Sequence, residues 1–261
     1  MENDPPSPLL FRMAHTRLAR SLLRAYRIAV NARISGAEHI PGAGGALLVG
    51  NHAALGLDAF PFAALCVEAS GRMPRFLGER NLWRIPGVGR MLDAVGAVPG
   101  TRAKATALLR GGALVCVYPG GIDDSFKRAG QEYTLQWGSR DGFARVALHA
   151  GTPIIPFVGE GVDDLLTVVA REPWLGRRLF GSPRYDLPVL RGRWGLPIPR
   201  RIALHYHVLP PLAPDGDPHD DRAVAALRQA TFDRMESVLS VLRAKRRRNA
   251  ATYQQARRAA E

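Results

Sequence analysis

The sequence predicts an α/β fold, a sheet covered by helices on both faces. Short apolar runs such as Ala46-Leu-Leu-Val49 and Ala113 to Val117 have the length and composition of strands buried on both sides. Helical segments closed by glycine separate the strands, at Gly71, at Gly111-Gly112 and at Gly151. No internal repeat interrupts this alternation, and 261 residues with an ordinary 46% hydrophobic share suffice for one domain with a full core.

The elements follow in order. Pro8 to Val30 reads as an amphipathic helix. At about 100° per residue Phe11, Leu18, Leu22, Ala25 and Ala29 share one face, and Arg17, Arg20, Arg24 and Arg27 the other. Residues 1–32 are therefore set apart as a membrane-interface helix, the alternative being a surface helix with a solvated basic face. Gly36 to Gly45, with Pro41, reads as a strand end and loop leading into the strand at 46–50. Ala59 to Ser70 suits a buried helix, Arg75 to Gly78 a short strand, and Val95 to Val98 another. Arg102 to Arg110 reads as a helix, Ala113 to Val117 as a buried strand, and Arg140 to Ala150 as a helix. Pro153 to Val158 and Ile202 to Leu209 supply two further strands. Glu160, Asp163 and Asp164 read as acids opening a helix, where they favour the dipole. Asp220 to Arg248 forms a long closing helix, and 249–261 a disordered basic tail.

Charge narrows the function classes. The net charge of +13 is confined to segments: residues 1–30 carry five Arg against two acids, 171–201 eight Arg against two, and 243–261 seven basic residues against one. The remainder is slightly acidic. Such confinement points to a surface of opposite sign, an anionic membrane or a nucleic acid. Trp174, Phe180, Tyr185 and Trp194 stand among the Arg residues of the 171–201 insert, and its Gly and Pro discourage long regular elements. That mixture favours a membrane interface over nucleic acid. No run approaches the roughly 18 apolar residues of a spanning helix, and the start Met1-Glu-Asn-Asp-Pro-Pro lacks the order of a secretory signal. The expectation is a cytoplasmic chain, peripheral on the membrane face. Cys66 and Cys116 lie in apolar surroundings and read as reduced core thiols.

The chemistry concentrates in Asn51-His-Ala-Ala-Leu-Gly-Leu-Asp58, directly after the strand 46–50. A strand's carboxyl end leading into a helix is where α/β proteins present reactive groups. An imidazole oriented by a carboxylate can take a proton from an alcohol. Three further stretches accompany it: Gly96-Ala-Val-Pro-Gly-Thr-Arg102, Tyr118-Pro-Gly-Gly121 and Thr152-Pro-Ile-Ile-Pro156. In order and spacing the four resemble the motifs of the glycerolipid acyltransferases. With the helix beginning at Asp141, the chain looks closest to the branch holding type 2 diacylglycerol acyltransferases and phytyl ester synthases. The resemblance runs from about Gly36 to Pro211 and implies an acyltransferase domain over 33–248 built on a central mixed, mostly parallel sheet.

What the resemblance implies about roles falls on particular residues. His52 would be the general base on an acceptor hydroxyl and Asp58 its orienting partner. Asn51, or amides around Gly120 and Gly121, would face the oxyanion. Pro119 and Pro156 would shape the pocket, and Arg102 would hold a phosphate or the donor's charge. The donor would be acyl-CoA or an acyl carrier protein, used as co-substrate, with no cofactor. The acceptor would be a lipid hydroxyl. Two departures stand out. Five residues separate His52 from Asp58 where the family has four, which on a regular helix turns Asp58 roughly 240° away; a turn using Gly56 would restore the contact, and Asp58 is kept as the orienting partner. Asp123 replaces the Arg that phosphate-handling members carry in the third motif, with Asp124 beside it, which favours a neutral glyceride or alcohol over lysophosphatidate. A lysophospholipid acyltransferase anchored by Arg102, and a non-catalytic basic binding module, remain as alternatives.

Other signals are weak. Gly42-Ala-Gly-Gly45 is a turn and not a dinucleotide fingerprint, and no Gly-x-Ser-x-Gly elbow occurs. His205 and His207 share a strand face and could meet His219, but they read as ordinary strand histidines and no metal is expected.

Overall fold

A computed structural model describes residues 17–172 and 187–259. Its strands, in chain order, are β1 Ala32–Ser35, β2 Ala46–Gly50, β3 Arg75–Gly78, β4 Val98–Pro99, β5 Leu114–Val117, β6 Ile154–Glu160, β7 Thr167–Glu172, β8 Leu187–Arg191 and β9 Leu204–Val208. The helices are α1 Arg17–Ala29, α2 Ala59–Ser70, α3 Val88–Ala94, α4 Arg102–Arg110, α5 Gly121–Ser125, α6 Gly142–Ala150 and α7 Asp221–Ala259. Seven strands form one sheet in the order β1-β9-β6-β2-β5-β3-β4, and β7 pairs with β8 apart from it. From β6 to β4 the neighbours run parallel. β9 joins antiparallel to β6 and carries β1 parallel beside it. The sheet is therefore mixed and mostly parallel.

Side-chain alternation decides which helix covers which face. Leu47 and Val49 of β2 point into a core with Leu109 of α4, Phe143 and Ala147 of α6, and Met235 and Leu239 of α7. Ala46 and Leu48 enter a second core with Phe62, Leu65 and Cys66 of α2, beside Phe157 and Tyr206. All five β2 residues are buried, as an apolar run without polar alternation requires. Each fully buried Leu or Phe here contributes about 1.5–3 kcal/mol. Burial pushes the thiols of Cys66 and Cys116 up, so both stay protonated in the core.

Several expectations need correction. Among the described residues the first helix starts at Arg17, and Pro8, Phe11 and the rest of 1–16 lie outside the description, as do Trp174, Phe180 and Tyr185. Arg27 does not look outward: its Nε sits 3.1 Å from Glu68 Oε1 on α2, while Leu22 and Ile28 are exposed. The strand foreseen at Val95 to Val98 shrinks to Val98–Pro99, because α3 and the left-handed Gly96 occupy its start. The insert is more regular than its Gly and Pro suggest, since β8 pairs with β7 through a bulge. Glu160 ends β6 and so does not open a helix, while Asp163 and Asp164 do stand in the first turn of a helix, a single 3-10 turn over Val162–Asp164. The closing helix runs past Arg248 to Ala259, through residues expected to be a disordered tail; that stretch contains neither Gly nor Pro to stop it.

Candidate active site

The parallel neighbours β2 and β5 end side by side, and the loops that follow them meet. After β2 the chain gives Asn51, His52 and a short turn, Ala54–Gly56, before α2 begins. Leu55 and Gly56 both take left-handed backbone angles, φ 59° and 70°. That left-handed step absorbs the fifth residue between His52 and Asp58, and no regular helix connects them. His52 Nδ1 lies 3.0 Å from Asp58 Oδ1. The Asp58 carboxylate is fully buried, accepts from the Ala53 N–H at 3.1 Å, and its backbone carbonyl accepts from the Tyr206 hydroxyl at 2.8 Å. The imidazole remains partly exposed, so one ring edge is tied to a buried anion and the rest faces the surface.

The loop after β5 supplies the floor. Tyr118 stacks on the His52 ring, centroids 3.9 Å apart and planes 13° off parallel, a contact the sequence did not suggest. Burial and the nearby Asp58 charge push the Tyr118 phenol well up, so it stays neutral. Pro119 and Gly120 are buried and lead into α5. A Cβ on Gly120 would stand 2.3 Å from Asp124 Cβ, so only glycine fits. Gly121 donates its N–H to the Tyr118 carbonyl at 2.9 Å, which takes that amide out of consideration for an oxyanion.

Asp124 does not face an acceptor. It is fully buried and accepts from the backbone N–H of His52 and of Gln136, each at 3.2 Å. Lys127, itself buried, lies 3.2 Å from Asp124 and 3.0 Å from Asp163. Asp163 in turn accepts from the Tyr133 N–H at 2.7 Å. Burial raises the Asp163 carboxyl to about 6, with the Lys127 ammonium pulling the other way. This chain of buried charge runs from the turn after β6 to the backbone of His52; Asp124 and Lys127 are local neighbours, whereas nothing in the spacing announced Asp163 as their partner. Asp123 is half exposed and pairs with Arg140, whose guanidinium also donates to the Gly120 carbonyl at 3.3 Å.

The remaining expected residues separate. Asn51 is buried, with its amide engaged both ways by Gly159 of β6: Nδ2 donates to the carbonyl at 3.2 Å and Oδ1 accepts from the N–H at 2.7 Å. That arrangement assigns Asn51 to joining two strands. Pro156 is buried within β6 beside Val49, and its carbonyl accepts from Leu209 N–H at 2.8 Å. Arg102 opens α4 under a Thr101 cap, largely exposed and 3.8 Å from Asp141 at the start of α6. His219 lies against His149, away from the strand pair, while His205 and His207 face each other at 4.0 Å with Glu160 as their third member. Burial and the neighbouring His207 lower the His205 pKa. Glu160 is held below the usual carboxylate range, since Lys245 and His207 outweigh the opposing effect of burial.

Comparison with known proteins follows the same outline. A bovine protein described as a DGAT1/2-independent enzyme synthesizing storage lipids is 30% identical over 207 residues, 79% of this chain and 58% of that protein. Phytyl ester synthase 2, chloroplastic, from Arabidopsis thaliana is 33% identical over 161 residues, 59% of this chain and 22% of that one. The chain thus spans about half the length of the curated storage-lipid relatives it matches. The solved structure of the 1-acyl-sn-glycerophosphate (LPA) acyltransferase PlsC from Thermotoga maritima has a TM-score of 0.51 at 18% identity, covering 88% of this chain and 86% of that one, a likeness of fold. The acyltransferase family model matches residues 31–159, from the end of α1 to the Gly159 peptide that holds Asn51, and the chain belongs to that family.

Proposed function

We propose that the protein is an O-acyltransferase that moves a fatty acyl group from a thioester donor, acyl-CoA or an acyl carrier protein, to a lipid hydroxyl. The observation that carries the reading is the contact between His52 Nδ1 and the buried Asp58 carboxylate at the edge of a parallel sheet. With Nδ1 engaged, Nε2 is the ring nitrogen that accepts the acceptor's hydroxyl proton as the oxygen attacks the thioester carbonyl. Asp58 steadies the imidazolium that forms. The proton then goes to the departing thiolate, so no acyl-enzyme is needed. With the Gly121 N–H engaged, we assign the oxyanion to the amide of the buried Gly120.

A neutral acceptor fits the charge arrangement, for a reason different from the one first read in the sequence. Asp124 is buried and cannot repel a ligand, but Arg140 and Arg102 each have an acidic partner, Asp123 and Asp141. Each of these two guanidiniums thus has an acidic neighbour that competes with a phosphomonoester. The storage-lipid and phytyl-ester descriptions of the relatives point the same way. Incubation with labelled acyl-CoA and a panel of acceptors should give faster transfer to monoacylglycerol, diacylglycerol or a long-chain alcohol than to lysophosphatidate. Asp123→Asn, which frees Arg140, should narrow that preference. A wild-type enzyme that prefers lysophosphatidate overturns the neutral reading and promotes Arg102 to phosphate anchor.

The acceptor's surface enters through exposed apolar groups. No helix among the described residues is long and apolar enough to cross a membrane. Leu55 and Phe60 stand exposed beside the His52 loop, and Trp194, 76% exposed, lies under the Arg193 guanidinium at 4.2 Å, near exposed Leu196 and Arg201. Arg243, Lys245 and Arg246, by contrast, are engaged with Glu236, Glu160 and Asp164, which removes them from the surface charge expected at the C-terminus. We read the protein as peripheral on an anionic membrane face. Each Arg at such a surface adds on the order of 1 kcal/mol, screened by salt. Co-sedimentation should require anionic vesicles, weaken as salt rises, and weaken further with Trp194→Ala. Tight DNA or RNA binding without vesicle binding would replace the membrane by nucleic acid.

A further inference from the structure

We propose that Glu160, His205 and His207 form a binding site for a divalent transition cation, with Zn2+ the best match to their chemistry. β9 alternates buried and half-buried residues, so His205 and His207 lie on one face, and the antiparallel register sets Glu160 of β6 opposite His205. Glu160 Oε2 is 3.3 Å from His207 Nε2 and 4.0 Å from His205 Nδ1, and one ligand atom from each of the three lies within 4.8 Å of the others. Around a tetrahedral ion with bonds of about 2.0–2.1 Å, ligand atoms stand roughly 3.3 Å apart. Of the three pairwise spacings the one between Glu160 and His207 is already met, and the two that involve His205, both within 4.8 Å, close by movement of that ring.

The surroundings resemble the support such sites require. Ser35 Oγ on β1 lies 3.3 Å from His207 Nδ1, the ring nitrogen that a cation on Nε2 leaves over. Lys245 Nζ sits 2.7 Å from Glu160 Oε1, the carboxylate oxygen turned away from both rings. That ammonium supplies positive charge to the same carboxylate and competes with a bound cation. Two imidazoles and one carboxylate select zinc and its neighbours in the transition series over Mg2+ or Ca2+, which take oxygen ligands. A cation here would fix the end of β6 one residue beyond the Gly159 peptide that Asn51 grips.

Zn2+ titrated into the full chain against a chromogenic chelator should show one equivalent bound, unaffected by excess Mg2+. His205→Gln and His207→Gln should each abolish that equivalent, Ser35→Ala should weaken it by about tenfold or more, and Lys245→Met should tighten it. Zn2+ should also raise the melting temperature of the wild type and leave that of the double variant His205→Gln/His207→Gln unchanged, which separates binding from a folding defect. No uptake by the wild-type chain, or equal uptake by the folded double variant, overturns the site. The assay reads metal binding without acyl transfer, so its outcome is independent of the catalytic reading.

Discussion

His52→Ala should lower acyl transfer by about two to four orders of magnitude while the protein stays folded, the usual worth of a positioned general base. An alanine forfeits the stack on Tyr118 and the bond to Asp58, but the buried Asp58 carboxylate keeps the Ala53 N–H as a donor. The backbone N–H that binds Asp124 is retained in the variant. Single-turnover rates at saturating donor, together with far-UV circular dichroism, test the expectation. Asp58→Asn should also slow the reaction, because an amide nitrogen turned to Nδ1 donates where the carboxylate accepts and so favours the wrong tautomer. Turnover close to wild type in a folded His52→Ala protein would sink the general-base assignment.

Lys127→Met should cost about 3–5 kcal/mol of stability near neutral pH, the penalty for breaking a buried ion pair by removing one partner. Asp124 and Asp163, both buried, would then face each other without their shared cation. The sign of the pH dependence follows from Asp163. Its folded pKa, about 6, already stands above the ordinary aspartate value, and loss of the ammonium raises it further. A carboxyl whose folded pKa is raised costs stability that grows as pH climbs from the unfolded pKa to the folded one and is complete above it. Urea unfolding between about pH 5 and pH 8 should therefore show the largest deficit at the alkaline end. A deficit that is flat across this range, or absent, would mean the three groups are not electrostatically linked.

How far the sequence reached depends on whether a feature is local. Ala59 to Ser70 and Arg102 to Arg110 are bounded by residues that stop or start helices on their own, Gly71 and Thr101, and the structure ends them there. β2 was legible because a run buried on both faces leaves no polar residue in it. β1 and β8 escaped notice because they are edge elements whose partners, β9 and β7, lie far along the chain or across the insert. Within the site, the motifs located His52, Asp58 and the glycine loop; a regular helix would have turned Asp58 away, and of the left-handed turn that avoids this Gly56 was legible while the left-handed Leu55 was not. Asp124 and Lys127 stand three residues apart, but Asp163 comes from the turn after β6, and only tertiary packing joins it to them in one charged chain.

The Asn51 amide carries one donor group and one acceptor, the same inventory as a backbone peptide, and it presents them to Gly159 as a residue in a neighbouring strand would. A side chain thereby imitates one more rung of the ladder after the β2 backbone has left it. The main chain at this point is released from pairing and can swing His52 away from the sheet, while β6 still feels a continuous neighbour. The two demands on one position, closing a sheet and releasing the loop that carries His52, are divided between the side chain and the backbone of a single residue. Aspartate offers only acceptors there and leucine neither group, so the imitation is specific to an amide.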